Sequence, residues 1–332
     1  MKRKNSWVSK PMDSRRKNQR TIQPKKQPRK AELKFVANRI KPAAVQRRKF
    51  ILSARSFTLE LGQQTRIMGI VNVTPDSFSR DGQYSAGLDH QKAVRYARQM
   101  VRQGADILDI GGESSRPGAA RVTAREELNR VIPVIEELAQ KIKIPISVDT
   151  YKPDVARAAL KAGASIVNTI KGCPPEEKLL RIVREYDAAI ILMHMRGVPR
   201  TMQDNIVYGD LMGEIFQSLK KSTEKCLENG IKSDKIVIDP GIGFGKTVRH
   251  NLMIINRLNM LKALNYPLLM GTSRKSFIGK ILNKEVHQRL TGTIASTSAS
   301  VLNGTHIVRV HDVAAVKEAV ALTDAIINES EN

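Results

Sequence analysis

The sequence predicts an α/β fold: a single (β/α)₈ TIM barrel with a short N-terminal hairpin and a basic N-terminal extension. Three observations carry that expectation. Short apolar runs alternate eight times with amphipathic windows, the pattern of a parallel sheet wrapped by helices. Reactive polar residues follow the ends of nearly all those runs, where a barrel carries its chemistry. The charge is lopsided: residues 1–50 hold 18 Lys and Arg against only Asp13 and Glu32, so +16 of the formal +24 lies ahead of the first unit.

The extension, residues 1–50, reads most simply as a solvated, disordered tail. Weak contact with a polyanion such as RNA or anionic lipid, driven by counterion release, is the competing reading. No apolar stretch of about 7–15 residues precedes Phe50, which argues against a secretory signal. A transit peptide stays open, because the segment is acid-poor, although it is Lys-rich and its only serines are Ser6, Ser9 and Ser14. The catalytic domain is placed at residues 51–330. It opens with the alternating stretch Phe57–Leu61, which with Gln63-Gln64-Thr65 reads as a small hairpin leading into the first strong strand. Eight strands are expected, at 67–73, 107–110, 144–148, 165–168, 189–193, 235–238, 267–270 and 306–310. Helical windows follow, among them 91–102, 124–142, 153–162, 211–229 and 313–327. Gly104, Gly163, Gly230 and Gly304 each stand before the next strand, as glycines that end helices do. Eight such units close into a barrel more readily than into an open doubly wound sheet, whose edge strand would be less apolar.

No apolar run approaches the ~18 residues of a membrane helix, and 41% hydrophobic with 27% charged residues suits a soluble core. Cys173 and Cys226 lie far apart without CxxC or Cys/His ligand spacing, which argues against a disulfide framework or a zinc site and suits the cytoplasm.

The first strand runs into Asn72-Val73-Thr74-Pro75-Asp76-Ser77-Phe78. Asn72 offers an uncharged oxygen suited to a hard cation such as Mg²⁺ beside a diphosphate; an Asx turn there, with Asp76 capping, is the plain alternative. The second leads to Gly111-Gly112-Glu113-Ser114-Ser115-Arg116-Pro117-Gly118, where glycines admit a ligand to the backbone and Arg116 offers a fork for an anion, unless this is only a glycine-rich turn. Asp149, Asn168 and Asp239 end the third, fourth and sixth strands. Each alone could cap a helix, but together they suit a flat heterocycle, whose adjacent N–H donors a carboxylate can accept in parallel. Gly241-Ile242-Gly243-Phe244-Gly245-Lys246-Thr247 misses the phosphate-loop pattern, since Pro240 stands where its first glycine belongs; it reads as a close-approach loop that seats a ring. Gly271-Thr272-Ser273-Arg274-Lys275-Ser276 and Arg309-Val310-His311-Asp312 follow strands seven and eight, where barrels often hold phosphate. A solvated basic turn at Arg274-Lys275 and a satisfied core imidazole at His311 are the alternatives, and His194, between Met193 and Met195, is read as such a core histidine.

Seven motifs, in order, closely resemble dihydropteroate synthases: residues 72–79, 111–118, 147–150, 192–195, 239–246, 273–276 and 309–313. The likeness spans roughly residues 65–325. It implies a Mg²⁺-assisted substitution in folate biosynthesis: diphosphate leaves a 7,8-dihydropterin-6-ylmethyl group and the amine of p-aminobenzoate attacks the methylene carbon. By that resemblance Asn72 would bind Mg²⁺, and Asp149, Asn168, Asp239 and Lys275 would hold the pterin. Arg309 and His311, with Asn72, would take the diphosphate, while Phe78, Ser115, Arg116, Pro117 and Ser276 would border the p-aminobenzoate slot. The family is usually homodimeric. Three positions depart from its pattern: Arg80 intervenes before Asp81, Ser115 stands where Thr is usual, and Thr169 replaces a frequent Asp. A pterin-binding barrel that transfers methyl groups, or a non-catalytic polyanion-binding paralogue, are the rival readings; the full first loop and the cations at 309–311 disfavour the former.

Overall fold

The structure is a computed structural model that describes residues 47–74, 89–114, 121–170, 174–197, 201–203 and 206–329. Two strands, β1 (Phe50–Ala54) and β2 (Phe57–Leu61), pair antiparallel, with Phe50 opposite Leu61 and Ala54 opposite Phe57. The reversal occurs at Arg55, in the left-handed region at φ 57°. The hairpin expected at 57–65 therefore lies one strand earlier: Phe57–Leu61 is its second arm, and Gln63-Gln64-Thr65 connects onward to the barrel. Its first arm was hidden because alternating Leu52 and Ala54, both fully buried, follow directly on the basic run Arg47-Arg48-Lys49.

Eight strands follow: β3 (Arg66–Asn72), β4 (Ile107–Gly111), β5 (Ile146–Asp149), β6 (Ile166–Thr169), β7 (Ala189–Met193), β8 (Ile236–Asp239), β9 (Leu269–Met270) and β10 (Ile307–Val310). They pair in parallel, in the order β8-β7-β6-β5-β4-β3-β10-β9. A bridge between Ile238 and Leu268 closes the ring, with the Ile238 N–H donating to the Pro267 carbonyl at 3.0 Å. Because helices cover the outside and side chains fill the inside, β4, β6, β7 and β8 are buried along their whole length, which is why they read as continuous apolar runs. Leu52, Ala54 and Leu61 of the hairpin pack with Met68, Ile107, Ile166, Ala189, Val237, Leu269 and Ile307, so β1 and β2 plug the end where the barrel strands begin.

The helices are α1 (His90–Arg102), α2 (Ala124–Lys141), α3 (Pro153–Lys161), α4 (Glu177–Glu185), α5 (Leu211–Glu228), α6 (Val248–Asn256), α7 (Ser276–Leu282), α8 (Leu290–Leu302) and α9 (Val313–Asn328). Their starts follow sequence chemistry: Asp89, Thr123 and Asp210 accept from the backbone N–H of Lys92, Glu126 and Gly213, satisfying donors the first turn leaves unpaired. Helix α1 turns Ala93, Val94, Ala97 and Met100 inward, one stripe at helical spacing. The glycines after helices take left-handed conformations, as expected of caps; at Gly163, φ is 117° and a Cβ would fall 2.5 Å from that of Ala139. Among the described residues no helix is long and apolar enough to cross a membrane.

Arg47, counted by charge with the extension, is built into the floor of the barrel. Its guanidinium contacts the Thr65 hydroxyl, the Thr305 carbonyl at 3.1 Å and Asp324 of α9 at 2.6 Å.

Candidate active site

Parallel register alone brings the expected ligands to one rim. Asn72 pairs across from Gly111, Gly111 from Asp149 and Asp149 from Asn168, while Met193 pairs with Asp239. Asn72, Gly111, Asp149 and Asn168 thus share one level, which continues to Ile191 and Val237, and Met193 and Asp239 stand two residues further along their strands. Gly111 leaves the space between two of them open: a Cβ there would lie 3.8 Å from both Asn72 Oδ1 and Asp149 Oδ2. Beside β3, β10 carries Arg309 and continues to His311, and the loop after β9 delivers Lys275 and exposed Ser276 at the start of α7. Of the eight described site residues, from Asn72 to His311, seven lie near strand ends or in the loops directly after them, and Ser276 opens α7. Phe78, Ser115, Arg116 and Pro117, with Arg80, lie outside the described residues.

Arg309 is the hub. Its Nε donates to Asp109 Oδ2 at 2.6 Å and its Nη2 to Asp149 Oδ2 at 2.7 Å. Asn168 Nδ2 donates to the same Asp109 oxygen at 3.1 Å. Asp109 is fully buried, and its Oδ1 has no hydrogen-bond partner among the described residues. Sequence reading missed Asp109 because it sits inside the apolar run Ile107–Gly111. The signal was present all the same: a charge in the middle of a strand buried on both faces requires a cation or a donor.

The charges constrain one another. Burial pushes the Asp149 carboxyl up to about 7; Asp109 and Glu127 push the same way, against Arg309 and Lys275. Burial likewise raises Asp239, opposed by the Gly241 N–H at 2.7 Å and by Lys275, Lys246 and Arg309. Lys275 is pulled down to about 8, first by burial and then by Arg309, while Asp239 and Asp149 resist. Burial also works against the Arg309 charge, but Asp109 and Asp149 outweigh it and raise its pKa. His311, lowered to about 3 by burial and the nearby Arg274, is neutral at pH 7, with its Nδ1 3.0 Å from the Ser273 hydroxyl. Asp149, Asp239, Lys275 and Arg309 therefore share one electrostatic environment.

The loop after β8 approaches neighbouring protein closely at its glycines. Gly241, Gly243 and Gly245 have φ of 72°, 83° and 61°, and a Cβ on Gly241 or Gly245 would collide with the carbonyl oxygens of His194 or Arg196 at 1.9 and 2.6 Å. Pinned this way, the loop holds Phe244 so that the Lys275 ammonium lies 4.1 Å from its ring centroid. His194 is the buried core histidine expected: Nδ1 lies 3.1 Å from Lys246 Nζ, and burial, with the neighbouring Lys246, lowers its pKa to about 3.

This rim coincides with a known sequence pattern. The pterin binding enzyme family model matches residues 68–311, from inside β3 to His311. The chain belongs to the pterin binding enzyme family. Among curated relatives, the dihydropteroate synthase of Synechocystis is 46% identical over 266 residues, covering 80% of this chain and 91% of that one. A crystal structure of Yersinia pestis dihydropteroate synthase in a sulfonamide drug complex superposes with a TM-score of 0.78 at 40% identity, covering 84% of this chain and 100% of that one. Dihydropteroate synthase from Clostridium difficile, solved in the presence of pteroic acid, gives 0.74 at 48% identity, covering 80% and 98%.

For a pterin binding enzyme the rim offers two kinds of recognition. Carboxylates and an amide, at Asp149, Asn168 and Asp239, can accept from ring N–H groups, while Arg309 can face anionic oxygens. Among the described residues no group of three His, Cys, Asp or Glu could hold a metal ion. The donor chemistry fits Mg²⁺ in one way: Mg²⁺ keeps several waters and usually takes one or two protein oxygens plus substrate phosphates, a role open to the amide oxygen of Asn72.

Proposed function

We infer that this chain is a dihydropteroate synthase, a transferase that joins 7,8-dihydropterin-6-ylmethyl diphosphate to p-aminobenzoate, giving 7,8-dihydropteroate and diphosphate for folate biosynthesis. One observation carries the reading: acids and cations that resemble the family's converge at one barrel rim, within the segment that the family model matches. In this scheme Asp149, Asn168 and Asp239 accept from the pterin edge and Lys275 packs beside the ring over Phe244. Arg309 and neutral His311 face the diphosphate, and Phe78, Ser115, Arg116, Pro117 and Ser276 border p-aminobenzoate. The bond from the methylene carbon to diphosphate oxygen breaks, the amine nitrogen bonds to that carbon, and one amine proton is lost.

Charge preorganisation supports the scheme. Two carboxylates hold Arg309 in place before any ligand arrives, so little reorganisation is needed as negative charge grows on the leaving oxygens. Mg²⁺ held by Asn72 together with the diphosphate would supply further neutralisation of those oxygens. A homodimer, a cytoplasmic setting and weak polyanion contact through residues 1–50 complete the proposal. The dimer draws support from exposed Leu290 and Leu302 on α8 and Leu322 and Ile326 on α9, and the polyanion contact from the charge of +16.

The test is diphosphate release from the pterin substrate by the full chain. It is expected to require both p-aminobenzoate and Mg²⁺, to stop with a chelator, and to be blocked by a sulfonamide. Release that ignores p-aminobenzoate would defeat the reading.

A further inference from the structure

Three consecutive residues of the loop after β9 each make a different attachment. The Ser273 hydroxyl accepts from the His311 backbone N–H at 3.2 Å and lies 3.0 Å from His311 Nδ1. Arg274 holds Asp312 with two prongs of its guanidinium: Nε donates to Oδ2 at 2.9 Å, and Nη2 contacts Oδ1. Lys275 turns to the ring of Phe244 and to the acids of the mouth. The loops after β9 and β10 are thus joined in step, 273 to 311 and 274 to 312. His311 is faced by Arg274 and Lys275 from the first loop, by Arg309 on its own strand and by Asp312 beside it, and the Tyr96 hydroxyl of α1 lies 3.5 Å from its carbonyl.

The backbone at Arg274 lies in the left-handed region, at φ 56°, which a Cβ disfavours. A loop that needed only to turn there would do so without strain with glycine. Instead an arginine stands at the turn and is held on two further sides: its N–H donates to the Thr293 hydroxyl of α8 at 3.0 Å, and its carbonyl accepts from Arg289 Nη1 at 3.0 Å. Strain of this kind persists only where the surroundings over-determine it. The Arg274 side chain is 28% exposed and its Nε–Nη2 edge is taken by Asp312, so the turn is not a solvated one. An ion pair this close to solvent adds little stability. What it gives is a fixed relation between two loops. We propose that Arg274 and Asp312 are positioning residues: their two-pronged ion pair locks the loop after β9 to the loop after β10 and so holds Lys275 and His311 in one arrangement at the mouth. The proposal deepens the functional reading above and rests on it in taking Lys275 and His311 to serve the reaction.

Two readouts on the full chain test this, one of them independent of activity. Ser273, accepting from the His311 backbone, gives its own proton to Nδ1, which leaves the proton of the neutral ring on Nε2. At the floor His306 is fixed in the same tautomer, since its Nδ1 accepts from the Leu268 N–H at 3.1 Å and its Nε2 faces the Arg48 carbonyl at 3.0 Å. Arg274→Gly suits the positive φ but breaks the ion pair. In nitrogen NMR of the histidine-labelled chain at neutral pH, assigned with His311→Gln, it is expected to shift both ring nitrogens of His311 toward the tautomer average and to leave those of His306 in place. The same variant is expected to lower kcat/KM for the pterin diphosphate by about thirtyfold or more without a matching loss of thermal stability. Arg274→Lys, which keeps a cation beside Asp312, should recover kcat/KM to within about tenfold of the parent. Asp312→Asn should act as Arg274→Gly does, and the double variant should fall no more than about twofold below the worse single one, because both remove one bond. Should Arg274→Gly fail to fold, Asp312→Asn decides by the same two readouts. Unmoved His311 signals, losses that multiply in the double variant, or activity that falls only in step with stability overturns the proposal while leaving the synthase reading intact. An inactive parent chain would instead sink that reading, and this inference with it.

Discussion

At the scale of single residues, what matters is which charges the mouth of the barrel forces together. Asp149, raised to about 7, must be ionised to accept from a ring N–H, and Lys275, lowered to about 8, must be protonated to act as a cation. Raising the pH through 7 gains the first and raising it through 8 loses the second. The profile of kcat/KM is therefore expected to be a narrow bell between apparent limbs near 7 and 8, belonging to the coupled group. Lys275→Arg should remove the alkaline limb, and a flat profile from pH 6 to 9 would contradict the assignment. Asp239→Asn is expected to lower kcat/KM by about 10²-fold, because it removes a preorganised charge without changing shape. The residues legible in sequence were those at strand ends: Asn72, Asp149, Asn168 and Asp239 stand where apolar runs stop, so their exposure to the mouth could be read from position. Asp109 could not be read that way, since its role depends on Arg309, 200 residues later, reaching past β3 to it.

Elements follow from local chemistry more faithfully than sites do. The eight runs became eight strands because each is buried on two sides, and the glycine stops became left-handed caps because glycine takes a positive φ without strain. Gly163→Ala is expected to destabilise the fold by about 1–3 kcal/mol in urea titration, both for its φ of 117° and for the contact with Ala139. Gly104→Ala, at φ 95° but facing only the flexible stem of Lys317, should cost less. Equal losses at the two sites would show that backbone strain alone decides. The first hairpin arm escaped notice because periodicity over five residues is weak when three basic residues precede it. The glycine loop after β8 was legible as a close approach, but only the fold shows that Gly241 and Gly245 lie against His194 and Arg196 and Gly243 against Lys275.

Over the whole molecule, function and anchoring occupy opposite ends. The proposed chemistry sits where the strands finish, and the hairpin and Arg47 close the end where they begin. Arg47→Met leaves Asp324 without its cation and is expected to cost about 3 kcal/mol by thermal or urea unfolding, while kcat/KM stays within about twofold. A large fall in activity with unchanged stability would mean that the floor and the mouth are coupled. The central claim is that the acids and cations of the mouth act as one site for a pterin bearing a diphosphate. It is tested most directly by calorimetric titration of the full chain, in Mg²⁺, with 7,8-dihydropterin-6-ylmethyl diphosphate. The account predicts saturable binding at one site per chain, weakened by about tenfold or more by Asp239→Asn and by Arg309→Met alike. Binding that neither substitution changes, or none at all, would contradict it.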